Sequence, residues 1–448
     1  MYLEFIPEKN AIVSKTNLAA LIKLSAPQHQ KQVKKPHLNI AFVIDVSGSM
    51  GDVVEYNQLP APITPDPIPQ WPALIQPQQP PYLPPISWPK RASYSHKTKL
   101  DKVKEAMKMA IKELKEEDIF SIVTFDTTVN VLFSSQKATP HHKNQAIDKI
   151  NQLNPGSSTA LHGGWLEGAR QVANNLQPEK LNRVILLTDG EANHGETNLD
   201  VIASDVANLL KNKISTTTFG VGERFNEELL TQMAEVGQGN FYYIEKGEIN
   251  NYFIEEFSGL SNTYAQNIKL SLDLAPDVEV EQLNDFKVMD KSWLIPNLIF
   301  NKKVNIIFNF KYTGKKKTKK IKLADLKLTY LPANAKKEIV LSHQISLDLV
   351  DQKSWDKLEV NQEAANLKAL LEIARIKQQS REYFKRGDII GGQTYLRTSA
   401  VNYAGFHDAA VIAASATLND LALQADQQSV STLNKTLMSQ SYNTRNSK

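Results

Sequence analysis

The 448-residue chain contains no cysteine. Disulfides, thiolate metal sites, iron–sulfur clusters and cysteine nucleophiles are therefore excluded together. An excess of one charge is missing too: 52 basic residues against 48 acidic ones leave a net +4, too even to imply a nucleic-acid partner. No apolar run reaches the length of a membrane span. The opening Met1-Tyr2-Leu3-Glu4-Phe5-Ile6-Pro7-Glu8 has neither a basic start nor an apolar core, so no export signal is read there, and a soluble, cytoplasmic protein is the expectation. His-Glu-x-x-His, Gly-x-Ser-x-Gly and Gly-x-Gly-x-x-Gly are all absent. With 41% hydrophobic residues the chain can nevertheless bury real cores, and its length suggests two or three domains.

The most informative stretch is Ile40-Ala41-Phe42-Val43-Ile44-Asp45-Val46-Ser47-Gly48-Ser49-Met50. Five apolar residues without alternation read as a strand buried on both faces of a parallel sheet. Ligands of open α/β sheets sit beyond the carboxyl ends of such strands, where Asp45, Ser47 and Ser49 fall. A second run, Val184-Ile185-Leu186-Leu187-Thr188-Asp189-Gly190, also ends in an acid and a glycine. Between them the small-residue loop Pro155-Gly156-Ser157-Ser158-Thr159-Ala160 opens a helix and can turn the Thr159 hydroxyl inward. An acid and hydroxyls with no imidazole or thiol make an all-oxygen set suited to Mg²⁺, with Mn²⁺ or Ca²⁺ as alternatives.

Asp-x-Ser-x-Ser, a loop threonine, then Thr-Asp-Gly after a strand resembles the von Willebrand factor type A (VWA) domain, whose metal-ion-dependent adhesion site (MIDAS) these positions form. The resemblance implies that Asp45, Ser47, Ser49, Thr159 and Asp189 are the metal-site residues. It further implies that the three hydroxyls bind the ion directly and that the two carboxylates act largely through water. A partner protein's Asp or Glu would then complete the coordination.

The flanking sequence adds an architecture. From Lys99 to about Leu260 helical and strand patterns alternate, predicting a doubly wound, mostly parallel α/β sheet across 37–262. Twelve of the 21 prolines crowd between Pro60 and Pro89, marking an insertion over about 52–96 beside the candidate metal site. Strict alternation in Ile268–Leu274, Val304–Phe310 and Ile321–Leu323 argues an antiparallel β-sandwich over 263–352. Strands in residues 1–36 are expected to complete it, so the VWA-like domain is an insertion within a β-domain. That layout resembles bacterial proteins arranged like the inter-α-trypsin-inhibitor heavy chains. Residues 353–428 read as an antiparallel helical hairpin, and 429–448 as a polar, disordered tail.

Other polar features carry less. Asp126 reads as a turn former, His162 as a packing or surface residue, and the pair His141-His142 as a plain helix start, since a hard-oxygen site has little use for imidazole. The seven lysines of Lys311–Lys322 surround Thr313-Gly314, but Asn309 stands where a phosphate loop needs its first glycine. The functional expectation is a non-enzymatic, adhesion-like module binding a partner carboxylate through a divalent cation. One alternative is an adaptor subunit presenting clients to an ATPase or other enzyme through the helical tail. A third is a metal-assisted hydrolase with Asp45 as nucleophile.

Overall fold

The computed structural model describes residues 1–27, 35–56, 96–245, 249–314 and 319–446. The proline-rich stretch 60–89 and the lysines at 315–317 lie outside the described residues. Three layers of organisation follow one another: an α/β domain, a two-sheet β-domain, and a helical module that touches both.

In the α/β domain six strands lie in the order Gln238–Ile244, Ile214–Val221, Leu181–Thr188, Leu38–Asp45, Ile119–Phe125, Val129–Lys137. All neighbours are parallel except the last, an edge hairpin. Leu38–Asp45 is central, and every one of its residues is buried. The period-2 geometry of a strand divides them between two cores. Ile40, Phe42 and Ile44 pack with Val103, Met107 and Ile111 of helix Lys99–Glu113 and with Phe253 and Phe257 of helix Ile249–Ser261. Ala41 and Val43 face Trp165 and Ala169 of helix Leu161–Ala173 and Leu230 and Met233 of helix Glu227–Val236. The run is apolar throughout because both faces are covered by helices. At Gly168 a Cβ would come within 2.3 Å of Val43 Cγ2, so glycine lets that helix sit close on the central strand.

After Asp45 the chain crosses to Ile119–Phe125 on one side, and Leu181–Thr188 later takes the other side. The winding reverses at this point, which opens a crevice at the carboxyl ends of the strands. The insertion leaves and re-enters beside that crevice. Its roots, Val53–Tyr56 and His96–Thr98, pair as an antiparallel two-stranded ribbon. Helix Lys99–Glu113 starts straight from the ribbon under a reciprocal cap, in which Asp101 N–H donates to Thr98 Oγ1 and Thr98 N–H to Asp101 Oδ2.

The β-domain draws strands from both ends of the α/β insertion. Asn17–Ser25 pairs antiparallel with Lys303–Tyr312, flanked by Tyr2–Pro7 and Val278–Gln282. The second sheet is built around Thr263–Leu274, Lys320–Pro332 and Ile339–Leu349, with Ala11–Ile12 at its edge. Leu18, Ala20, Ile22 and Leu24 of the first sheet meet Ile268, Leu270, Leu326 and Leu328 of the second in one core. Gln238 Nε2 ties the α/β domain to this scaffold by donating to Ile268 O at 2.9 Å and Ile295 O at 3.3 Å.

The C-terminal region corrects the sequence reading twice. In place of a hairpin, among the described residues, the short helix Gln352–Asp356 is followed by four longer ones, Gln362–Lys385, Ile389–Val401, Ala409–Gln424 and Val430–Arg445. The segment 429–448, read as a disordered tail, contains the last of them. Val430–Arg445 buries Leu433, Leu437, Met438 and Tyr442 between helix Gln362–Lys385 and the α/β domain. Tyr442 Oη donates to Gly239 O and accepts from Phe241 N–H, both at 3.2 Å. Because this helix also buries Thr432, Asn434, Lys435, Ser441 and Arg445, its buried face mixes polar with apolar residues. It is held by tertiary contacts that a linear pattern does not reveal.

Candidate metal centre

All five predicted positions meet at the crevice. Asp45 and Asp189 are fully buried, Ser47 and Thr159 nearly so. Ser47 and Ser49 follow the strand end on a short 3₁₀ turn, Gly48–Gly51. That turn is locked to the loop before helix Leu161–Ala173: Gly48 N–H donates to Ser157 O at 2.9 Å, and Gly156 N–H to Val46 O at 2.5 Å. Thr159 is fixed in turn by Asn193, whose Oδ1 accepts from Thr159 N–H at 2.8 Å.

Each carboxylate is tied down. Asp45 Oδ1 accepts from Ser47 N–H at 2.7 Å and Oδ2 from Thr188 Oγ1 at 2.5 Å. Burial pushes the Asp45 carboxyl up to about 6, against the pull of the Thr188 and Ser47 hydrogen bonds. Asp189 Oδ1 accepts from Ser49 Oγ at 2.7 Å, and Ser49 Oγ lies 3.2 Å from Ser47 Oγ. Asp189 Oδ2 meets the Lys99 ammonium at 2.7 Å. Lys99 also reaches Asp52 Oδ2 at 3.1 Å, and its side chain is only 10% exposed.

Gly190 shows what these groups surround. A Cβ there would lie 3.3 Å from Thr159 Oγ1 and 3.9 Å from both Asp45 Oδ2 and Ser49 Oγ. Oxygens from three chain segments thus converge on a space that any side chain at 190 would fill. Hard neutral hydroxyls backed by two carboxylates suit a divalent cation of the Mg²⁺ class. Among the described residues no cluster of three His, Cys, Asp or Glu offers another metal site.

The comparisons agree with this geometry. Residues 91–243 match the family model described as the von Willebrand factor type A domain. The fold matches a von Willebrand factor type A protein from Catenulispora acidiphila at a TM-score of 0.67 and 14% identity, over 94% of this chain and 88% of that one. The chain carries a VWA domain. The ArnB paralog VWA2 from Sulfolobus acidocaldarius matches at a TM-score of 0.59 and 14% identity, covering 99% of this chain and 97% of its own, so the likeness of fold extends beyond the VWA domain to the whole arrangement. An uncharacterised Synechocystis protein is 30% identical over 187 residues, 40% of this chain and 42% of its own length. Rat inter-alpha-trypsin inhibitor heavy chain H3 is 26% identical over 220 residues, 48% of this chain and 19% of its own. The chain thus spans less than half the length of these curated relatives.

Of the remaining sequence candidates, Asp126 abuts the loop that carries Thr159, its carbonyl accepting from Ala160 N–H at 2.7 Å. Asp126 Oδ1 accepts from Thr128 N–H and Oγ1, as a turn former does. His162 Nε2 lies 3.0 Å from Asp205 Oδ2 and its ring stacks on Trp165. His142 bonds the Lys137 carbonyl through Nδ1. Lys99, Asp52, Thr188 and Asn193 escaped the sequence reading. For Thr188 the signal was present, in the Thr-Asp-Gly motif itself. Lys99, a lysine at a helix start, reads as solvated until the ribbon is seen to swing it inward.

Proposed function

We propose that the VWA domain is a metal-dependent protein-binding module that engages an Asp or Glu of a partner through a divalent cation, Mg²⁺ foremost, with Mn²⁺ or Ca²⁺ as alternatives. The observation that carries this reading is the convergence of Ser49, Thr159 and Asp45 oxygens over Gly190. Ser47, Ser49 and Thr159 would hold the ion, with Asp45 and Asp189 supporting it. A dication bound there supplies an open position for one more carboxylate. Asp45 uses both oxygens to fix the Ser47 turn and the Thr188 hydroxyl, so it positions the loop. Lys99 and Arg224 offset two of the three carboxylate charges of Asp45, Asp52 and Asp189, leaving a net −1. A divalent ion more than cancels that charge, so the loaded site is cationic and attracts an anion.

A hydrolytic role for Asp45 finds no support in this arrangement. Both its oxygens accept internal hydrogen bonds, and the Lys99 ammonium lies on Asp189 and Asp52. The test is a pull-down from the source-cell extract with Mg²⁺ or with chelator, using wild type beside an Asp45→Ala, Ser47→Ala double variant. A partner captured only by wild type with metal upholds the module. A partner retained by the double variant in chelator overturns it.

A further inference from the structure

Two helices of the C-terminal module carry almost no charge. Ile389–Val401 has one charged residue in 13, Arg397, and Ala409–Gln424 has one in 16, Asp420. The chain as a whole is 22% charged. Burial does not explain the deficit, because each helix turns only one side inward. Leu396 and Ala400 of the first and Val411, Leu418 and Ala422 of the second share a core with Ile373 and Phe384 of helix Gln362–Lys385. The opposite side faces outward. It exposes Ile390 at 78% and Val401 at 71%, the two highest values among the described large hydrophobic residues, with Leu423 at 56% and Ile412 at 50%. Ala409, Ala413 and Ala416 are exposed as well. At 3.6 residues per turn, Ile390, Arg397 and Val401 fall on one strip of the first helix, and Ile412 and Leu423 on one strip of the second. Large aliphatics gathered on an outward face with so little charge mark a surface that another molecule covers.

The register of the two helices indicates what that molecule is. Gln393 Nε2 donates to Ala422 O at 3.0 Å and Ser415 Oγ to Ala400 O at 3.1 Å, so the helices run antiparallel with these residues at matching heights. On that scale three pairs stand level to within two residues, or about 3 Å of rise. They are Ile390 with Leu423, Arg397 with Asp420, and Val401 with Ile412. The face is thus banded, aliphatic at both ends with one cation and one anion between. Neither Arg397 nor Asp420 has an ion-pair or hydrogen-bond partner among the described residues. A two-fold axis running along the helices lays the first helix of each copy on the second helix of the other and keeps every level. Ile390 then meets Leu423, Val401 meets Ile412, and Arg397 comes opposite Asp420, each contact made twice. A two-fold axis across the helices would set Arg397 against itself, so the charges select the first arrangement.

We propose that this face is covered by a second copy of the chain, forming a symmetric dimer through a four-helix layer. Two helices about 10 Å wide and about 20–24 Å long offer a face of roughly 450 Å², below the ~800 Å² a side of a standard interface. The dimer is therefore weak and forms at micromolar concentration. It does not depend on the metal reading; where that reading holds, the dimer presents two metal sites in one particle.

The test is sedimentation velocity of the full chain at about 1–200 µM in EDTA, so that metal plays no part. Wild type is expected to pass from monomer to dimer across that range. Arg397→Asp and Asp420→Arg each set like charges opposite one another at both contacts, and each is expected to weaken self-association at least about tenfold. Mixed one to one, the two variants restore opposite charges at both contacts and are expected to associate with each other about as well as wild type does. Val401→Lys is expected to stay monomeric. All three substitutions lie on exposed side chains, and melts at about 1 µM should match wild type. Dimers unaffected by the single reversals, or no recovery on mixing, overturn the arrangement. A wild type still monomeric at about 200 µM overturns the second copy as occupant; phosphatidylcholine vesicles that bind this monomer but not Val401→Lys would give the face to a lipid surface instead.

Discussion

Lys99→Met is the substitution that most directly probes the proposed site. The methionine keeps much of the lysine's reach and removes only the charge. In the metal-free protein it strips Asp189 of its closest cation, 2.7 Å away, and leaves a fully buried carboxylate with the Ser49 hydroxyl as its remaining hydrogen-bond donor. Removing one partner of a buried pair costs about 3–5 kcal/mol, because the other charge stays buried without compensation. Each kcal/mol moves the melting temperature of a domain this size by about 2–4 °C, so the variant in chelator should melt about 6–20 °C below wild type. A bound dication then takes over the lost positive charge. Metal should therefore raise the variant's melting temperature more than the wild type's and close most of the gap, by linkage of binding to stability. Tryptophan-fluorescence melts of both proteins in EDTA and in excess Mg²⁺ measure all four values. Equal melting in EDTA, or the same metal-induced rise in both proteins, would refute the view of Lys99 as the site's built-in counter-ion.

Two further predictions concern the same crevice. Burial holds the Asp45 carboxyl near 6 in the metal-free fold, above its unfolded value of about 3.9. Its contribution to stability is therefore full below about pH 4 and lost as pH rises through about 6. Metal needs the ionised form, so Mg²⁺ affinity measured by calorimetry should fall as pH drops through 6, and a flat profile across that window would contradict this. Gly190→Ala places a methyl 3.3 Å from Thr159 Oγ1, in the space the oxygens surround. It should abolish metal binding while leaving the circular dichroism spectrum unchanged; retained metal affinity would show that the ion lies elsewhere.

The parts of this protein legible in the sequence are those in which burial is written as a periodic pattern. Ile40–Ile44 reads as a two-sided buried strand because helices cover both of its faces, and the acid that ends the run marks the crevice. Strands such as Asn17–Ser25 and Lys303–Tyr312 announce a sheet, and they pair across the inserted domain as the layout read from the sequence implies. Val430–Arg445 was missed because a helix wedged between two bodies buries polar and apolar residues alike. Lys99 was placed correctly as a helix start, but which way its side chain turns is decided by the ribbon before it and by Asp52.

That ribbon has a consequence for how the chain can change over time. Val53–Tyr56 and His96–Thr98 close on each other before the helix begins, so whatever joins them is topologically a single stitch. Doubling a flexible loop adds only about 0.6 kcal/mol of closure entropy. A lineage could therefore lengthen, shorten or replace the intervening stretch at little cost to the VWA sheet. The ribbon works as a socket beside the crevice, into which different inserts can be spliced while the five oxygen-bearing residues stay where they are.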